Sequence, residues 1–319
     1  MAMQSRLALA LTTLLLFTIL TNAASADTDP PTWDEAREGV AGGAIGGLGL
    51  ELPVDATNAS IEMDVASFPQ VIEVYTATWC TNCVQTEKIL HQVIGQSNVV
   101  VINYHKFKFE PEDPFGSNGT DDRWESIYGG TSTTVGLSPR LAPTTVFDGE
   151  RLHLGTRPKS SSISSDYNQS ISVGSSHPFS GNASLSFSRS SESTSNSLDF
   201  SWNVENVFHD CVSDCQSYTL TPWLMYVEQV ASFPEGSNGK GNYSNILVDT
   251  IQLPSLQGEI SLTIPEAWDG DDISAILVID WETSTPETTS DKAVPAIGPS
   301  LLICLLAILV PRRNNHMPL

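Results

Sequence analysis

Val71-Ile72-Glu73-Val74-Tyr75-Thr76, followed two residues later by Trp79-Cys80-Thr81-Asn82-Cys83, is the stretch from which the fold is read. All of the first six residues but Glu73 are β-branched or aromatic, as a strand requires. Beyond the cysteines, Val84, Lys88 and His91 alternate with Ile89 and Leu90 at helical spacing. A strand therefore gives way to a helix, and two thiols sit at the junction. That pairing points first to two-electron sulfur chemistry. Unpaired amides and the positive end of the helix dipole favour a thiolate at the first cysteine, so Cys80 is the expected attacking sulfur. Cys83, one turn in, is the expected resolving partner. The competing reading is a permanent Cys80–Cys83 bridge.

The chain ends set the compartment. Arg6, an apolar run from Leu7 to Leu20 and the small residues Ala24-Ser25-Ala26 read as a secretory signal peptide over 1–26. A second apolar run, Ala293 to Val310, is closed by Pro311-Arg312-Arg313. At ~1.5 Å per residue it just spans a ~30 Å hydrocarbon core, which gives a single transmembrane helix over 293–311. The basic pair holds the 312–319 tail in the cytoplasm, so the main body is expected outside the cell membrane, joined to the helix by a linker at 285–292. Cys304 lies within that helix as a small apolar residue. In an exported body, Cys211 and Cys215 are expected to form a structural disulfide. Their neighbours His209, Asp210 and Asp214 are metal-ligand types, but no C-x-x-C or H-x-x-x-H pattern accompanies them and no metal is expected.

Composition narrows the partners. The 319 residues carry a formal charge of −22 with only 15 Lys and Arg, which excludes nucleic acid as an expected partner. No cofactor motif is found. The Gly-rich run Gly42 to Gly47 lacks the Gly-Lys-Ser/Thr of a phosphate loop, so 27–64 reads as a flexible lead-in. Asn58, Asn118, Asn168, Asn182 and Asn242 stand in N-x-[ST] sequons. Asp121-Asp122 and Asp269-Gly270-Asp271-Asp272 match no full calcium loop.

Over 65–174 the pattern is α/β. Strand 71–76, the cysteine helix and the apolar strand Val99 to Tyr104 make one βαβ unit. Leu141 to Leu154 forms two strands around Asp148-Gly149, a strong hairpin signal. Ile163, Tyr167 and Ile171 then mark a closing helix. Over 175–284 the period becomes two, as in Leu198-Asp199-Phe200-Ser201-Trp202, which suggests an antiparallel β-sandwich.

The apolar strand, W-C-x-x-C at a helix start, and Pro143-Thr144 just ahead of the Asp-Gly hairpin together resemble the thioredoxin superfamily. Glu73-Val74-Tyr75-Thr76, Asp113-Pro114-Phe115 and Phe147-Asp148-Gly149 look like a secreted branch of it with a β-rich C-terminal region. The resemblance implies an α/β thioredoxin-like domain, an antiparallel β-sandwich domain and a C-terminal transmembrane helix. It also implies that Pro143 is cis and lies against the disulfide, that Ala142 offers backbone to a substrate peptide, and that Trp79 is a docking surface. The function so implied is a membrane-tethered thiol-disulfide oxidoreductase acting on exported protein thiols or disulfides. The alternative is a non-catalytic surface binding or adhesion protein with a structural C-x-x-C bridge. One departure bears on mechanism. Val74 stands where the family has a buried acid, and strand alternation points Glu73 to the other face.

Overall fold

The computed structural model describes residues 42–109, 111–175, 177–189, 196–209 and 217–283. In chain order the strands are β1 (Gly42–Glu51), β2 (Asn58–Asp64), β3 (Gln70–Thr76), β4 (Val99–His105), β5 (Thr144–Phe147), β6 (Arg151–Leu154), β7 (Phe179–Ser188), β8 (Ser197–His209), β9 (Tyr218–Ser232), β10 (Asn242–Gln252), β11 (Gln257–Thr263) and β12 (Ile273–Thr283). The helices are α1 (Thr81–Ile94), α2 (Asn118–Trp124), α3 (Gly130–Gly136) and α4 (Ile163–Val173), with a π-helical turn at Glu125–Gly129 joining α2 to α3.

These strands form an eight-stranded sheet in the order β1-β12-β9-β10-β4-β3-β5-β6 and a four-stranded sheet in the order β11-β8-β7-β2. The four-stranded sheet shows clean alternation. Leu198, Phe200, Trp202 and Val204 of β8 are buried, while Asp199 and Glu205 face solvent. Its inner face packs Leu185, Phe187, Phe200 and Trp202 against Leu224, Tyr226, Leu277 and Ile279 of the large sheet. Burying each such side chain contributes about 1.5–3 kcal/mol. The opposite face of β9 and β12 is buried too. There Met225, Val227, Ile276 and Val278 join Val71, Tyr75, Ile102 and Tyr104 around Trp124 and Tyr128. A third cluster places Leu90 of α1 and Ile163 and Tyr167 of α4 on Ile72, Val74 and Phe147.

An α/β thioredoxin-like domain followed by a separate antiparallel β-sandwich is therefore not what forms. The fold is predominantly β, and strands from 65–174 and 175–284 share one sheet, joined where β10 runs parallel to β4 at Ile246 and Asn103. The Asn103 side chain secures the join by donating to Ser244 O at 2.5 Å. The reason lies in β9 and β12, whose continuous apolar runs need cover on both faces. One face meets the small sheet and the other closes over the α/β elements.

The flexible lead-in is also corrected: 42–51 and 58–64 are strands. β1 pairs with β12, and its glycines are there for close approach. A Cβ on Gly43 would sit 2.8 Å from Asp148 O, and Gly46, at φ +155, passes against Phe68 where the β1–β12 register shifts. Among the described residues no helix is long and apolar enough to cross a membrane. The signal peptide at 1–26, the linker at 285–292, the helix at 293–311 and the tail at 312–319 lie outside the described residues.

Candidate functional site

Cys80 is the N-cap of α1, and its sulfur accepts from the Cys83 amide at 3.2 Å. The two cysteines are joined by a disulfide. Cys80 is 7% exposed and Cys83 is fully buried, so the pair has an outer and an inner sulfur. Thr81 and Asn82 are exposed. Trp79 is half-buried, donates its indole N–H to Pro111 O at 3.3 Å and carries the Lys106 ammonium 5.3 Å from its ring centre. Ala77, Cys80 and Cys83 form a small apolar cluster against which Trp79 and Ala142 pack. The peptide bond after Ala142 is cis, and Pro143 is buried. Trp79, Cys80, Cys83, Ala142 and Pro143 are thus brought to one corner of the large sheet. Cys211 and Cys215 lie outside the described residues, as does Cys304. Among the described residues no group of three or more His, Cys, Asp and Glu side chains is arranged to hold a metal ion.

The backbone leading into the cysteines is gripped from two sides. On one side Asp113, buried, accepts from the Thr78 amide at 2.5 Å, the Phe115 amide at 3.1 Å and the His105 ring at 3.1 Å. Burial alone would raise the Asp113 carboxyl, but the His105 bond and charge and the two amides outweigh it and hold it below the usual carboxylate range. His105 is thus a satisfied core residue. On the other side stand residues from the β9–β10 loop and the start of β10. The Asn238 amide donates to Thr78 O at 3.0 Å and its side-chain NH2 donates to Ala77 O at 3.1 Å. The same Ala77 carbonyl accepts from the Cys80 amide at 3.0 Å. Tyr243 donates to Asn238 Oδ1 at 2.7 Å, with Thr78 O a longer contact at 3.3 Å.

Two buried acids lie close by in the sequence. Glu87, one turn after Cys83, accepts from Thr76 Oγ1 at 2.5 Å and pairs with Lys240 at 2.5 Å. Glu73 points to the other face. It accepts from Tyr104 at 2.5 Å and from Tyr128, with Arg123 3.4 Å away. Arg123 also pairs with Asp280 of β12 at 3.2 Å and lies over the Trp223 ring at 4.7 Å. Burial first, then Glu73, pushes the Tyr128 hydroxyl well above its ordinary value. This second network ties α2 and β3 to β12 and is structural.

Sequence reasoning missed Glu87, Asn238, Lys240 and Tyr243. For Glu87 a signal exists: Cys83, Glu87 and Leu90 fall on one helical stripe, so the acid stands in an otherwise inward face. For the others no local signal exists, because they meet the site across more than 150 residues of chain.

No protein family model and no curated protein matches the chain. Among solved structures it is similar to protein AGR_C_4864 from Agrobacterium tumefaciens, at 15% identity over 65% of this chain and 77% of that one, with a TM-score of 0.36. It is also similar to HBP35 of Porphyromonas gingivalis, at 16% identity over 66% of this chain and 63% of that one, with a TM-score of 0.33.

Proposed function

We propose that the protein carries out thiol-disulfide exchange on other polypeptides through Cys80 and Cys83. The observation that carries this reading is the asymmetry of the pair: an outer sulfur at a helix N-cap, an inner sulfur one turn below, and the Ala142–Pro143 corner packed beside them. In the reductive direction the Cys80 thiolate attacks a substrate disulfide, forming a mixed disulfide and releasing one substrate thiolate. Cys83 then attacks Cys80, releases the second substrate thiolate and leaves the 80–83 disulfide. The oxidative direction is the reverse. The helix N-terminus stabilises the Cys80 anion formed in either direction. Trp79 and the Ala142 backbone flank the sulfur where a substrate chain would lie. The 1–26 and 293–311 segments would put this reaction outside the cytoplasm, at a membrane surface.

Full-length protein incubated with a disulfide-bonded peptide and a glutathione buffer is expected to accelerate exchange. Cys80→Ser should abolish it, and Cys83→Ser should accumulate the mixed disulfide. Unchanged exchange in Cys80→Ser would refute the mechanism. A second reading, a structural bridge in a binding or adhesion protein, is favoured by the 7% exposure of Cys80. It predicts that the bridge resists mild thiol reductants.

A further inference from the structure

We propose that Asn238, in the β9–β10 loop, is a positioning residue for the Cys80–Cys83 couple, holding the Ala77–Thr78 turn so that the opened dithiol stays at closing distance. The inference rests on the exchange reading above and adds to it a control element from a part of the chain far from the cysteines.

Asn238 bonds through its backbone amide, its side-chain NH2 and its side-chain oxygen. Its side-chain NH2 and backbone amide donate to the carbonyls of Ala77 and Thr78, the residues immediately before Trp79 and Cys80. Its side-chain oxygen accepts from the Tyr243 hydroxyl and, at 3.0 Å, from the Lys240 amide. That last bond closes a turn of the loop on itself, so the donors are presented by a rigid unit. The loop is seated tightly. Gly236 lies against Tyr243 Oη and Thr78 O with no room for a Cβ, and the Lys240 ammonium is fixed by Glu87 of α1 itself. The β9–β10 loop thus grips both the approach to Cys80 and the helix that carries Cys83.

The consequence is thermodynamic. When the disulfide opens, Ala77 to Cys80 would gain conformational freedom if nothing else held it. A clamp that withholds this freedom lowers the entropy cost of closing the ring again, which raises the effective concentration of one thiol at the other. Closing the pair with glutathione disulfide breaks one S–S bond in glutathione and forms one between Cys80 and Cys83. Two electrons and two protons pass from the protein thiols to two released glutathione molecules. The clamp favours this direction. By reciprocity, the closed disulfide should tighten the hold of the loop.

The test is a redox titration of the full chain in glutathione buffers, with Cys80 and Cys83 followed by alkylation and peptide mass mapping so that other cysteines do not intrude. Asn238→Ala should lower the equilibrium constant for closing the bridge about 5-fold, a shift of ~20 mV toward easier reduction at ~30 mV per decade for a two-electron couple. Tyr243→Phe, which frees the Asn238 oxygen and keeps the ring, should shift it the same way by a smaller factor. A midpoint equal to wild type in both variants, or a shift toward harder reduction, overturns the proposal even if thermal stability falls, because a merely structural residue would lower stability without moving the midpoint. A bridge that stays closed at every glutathione ratio in all three proteins overturns the exchange reading as well. The two failures are therefore distinguishable.

Discussion

The segment that carries the cysteines and the segment that encloses them are built by opposite rules. From Gln70 to Leu154 the chemistry is local: strand, turn, N-cap and hairpin follow one another, and the residues of the site lie on adjoining elements. From Phe179 to Thr283 the chain contributes nothing to the site by local pattern, yet Asn238, Lys240 and Tyr243 grip its flank and Asp280 completes the Arg123 network. The difference teaches that a disulfide corner laid down by local pattern can be completed by contacts from a β-rich region more than 150 residues away in the chain.

The interlock at Arg123 is the most exposed point of that comparison. Arg123→Met removes the cation beside the buried Glu73 and breaks its pair with Asp280, and urea unfolding should show a loss of about 3–5 kcal/mol. A loss under ~1 kcal/mol would mean that the two segments are held by apolar contact alone. Phe200→Ala, in the small sheet, should cost about 3–4 kcal/mol. Because both segments share the large sheet, far-UV dichroism and hydrogen exchange in α1 should report one transition. Two separate transitions would restore the picture of independent domains.

Finer tests concern single carboxylates. Asp113→Asn weakens the hold on the Thr78 amide and should cost about 1–3 kcal/mol at neutral pH. The folded Asp113 is held below its unfolded value, so its contribution is present above the unfolded value and is lost as pH falls through the folded one. The gap between wild type and variant should accordingly close in acid. Asp148 behaves in the opposite sense. Burial pushes its carboxyl up to about 7, so its contribution is complete below the unfolded value and is lost as pH rises through about 7. Asn suits the left-handed turn at φ +51, and Asp148→Asn should gain ~1 kcal/mol over wild type at pH 8 and less at pH 5, read by denaturant titration.

What the sequence disclosed follows the same divide. β3, α1, β4 and the β5–β6 hairpin are legible because a period of two, a period of 3.6 and an Asp-Gly turn are properties of neighbouring residues. β8 is legible for the same reason. β1 is not, since glycine has little strand preference of its own, and Gly43, Gly46 and Gly47 are explained only by Trp281, Phe68 and Val71 closing in on them. The shared sheet is not legible either. The apolar run of β9 fits a sandwich strand until its second face is seen against Tyr75 and Tyr104. The grip of Asn238 on Ala77 and Thr78 depends on a contact that no local pattern encodes.

The pairing of β1 with β12 bears on biogenesis. During synthesis, Gly42–Glu51 leaves the ribosome more than two hundred residues before its partner, and nothing upstream of Ile273 can complete its ladder. The large sheet therefore stays open at that side until translation has passed residue 283. A nascent chain stalled short of that point should hold an exposed strand in which half the residues are glycine, with reduced side-chain surface to attract other chains while it waits.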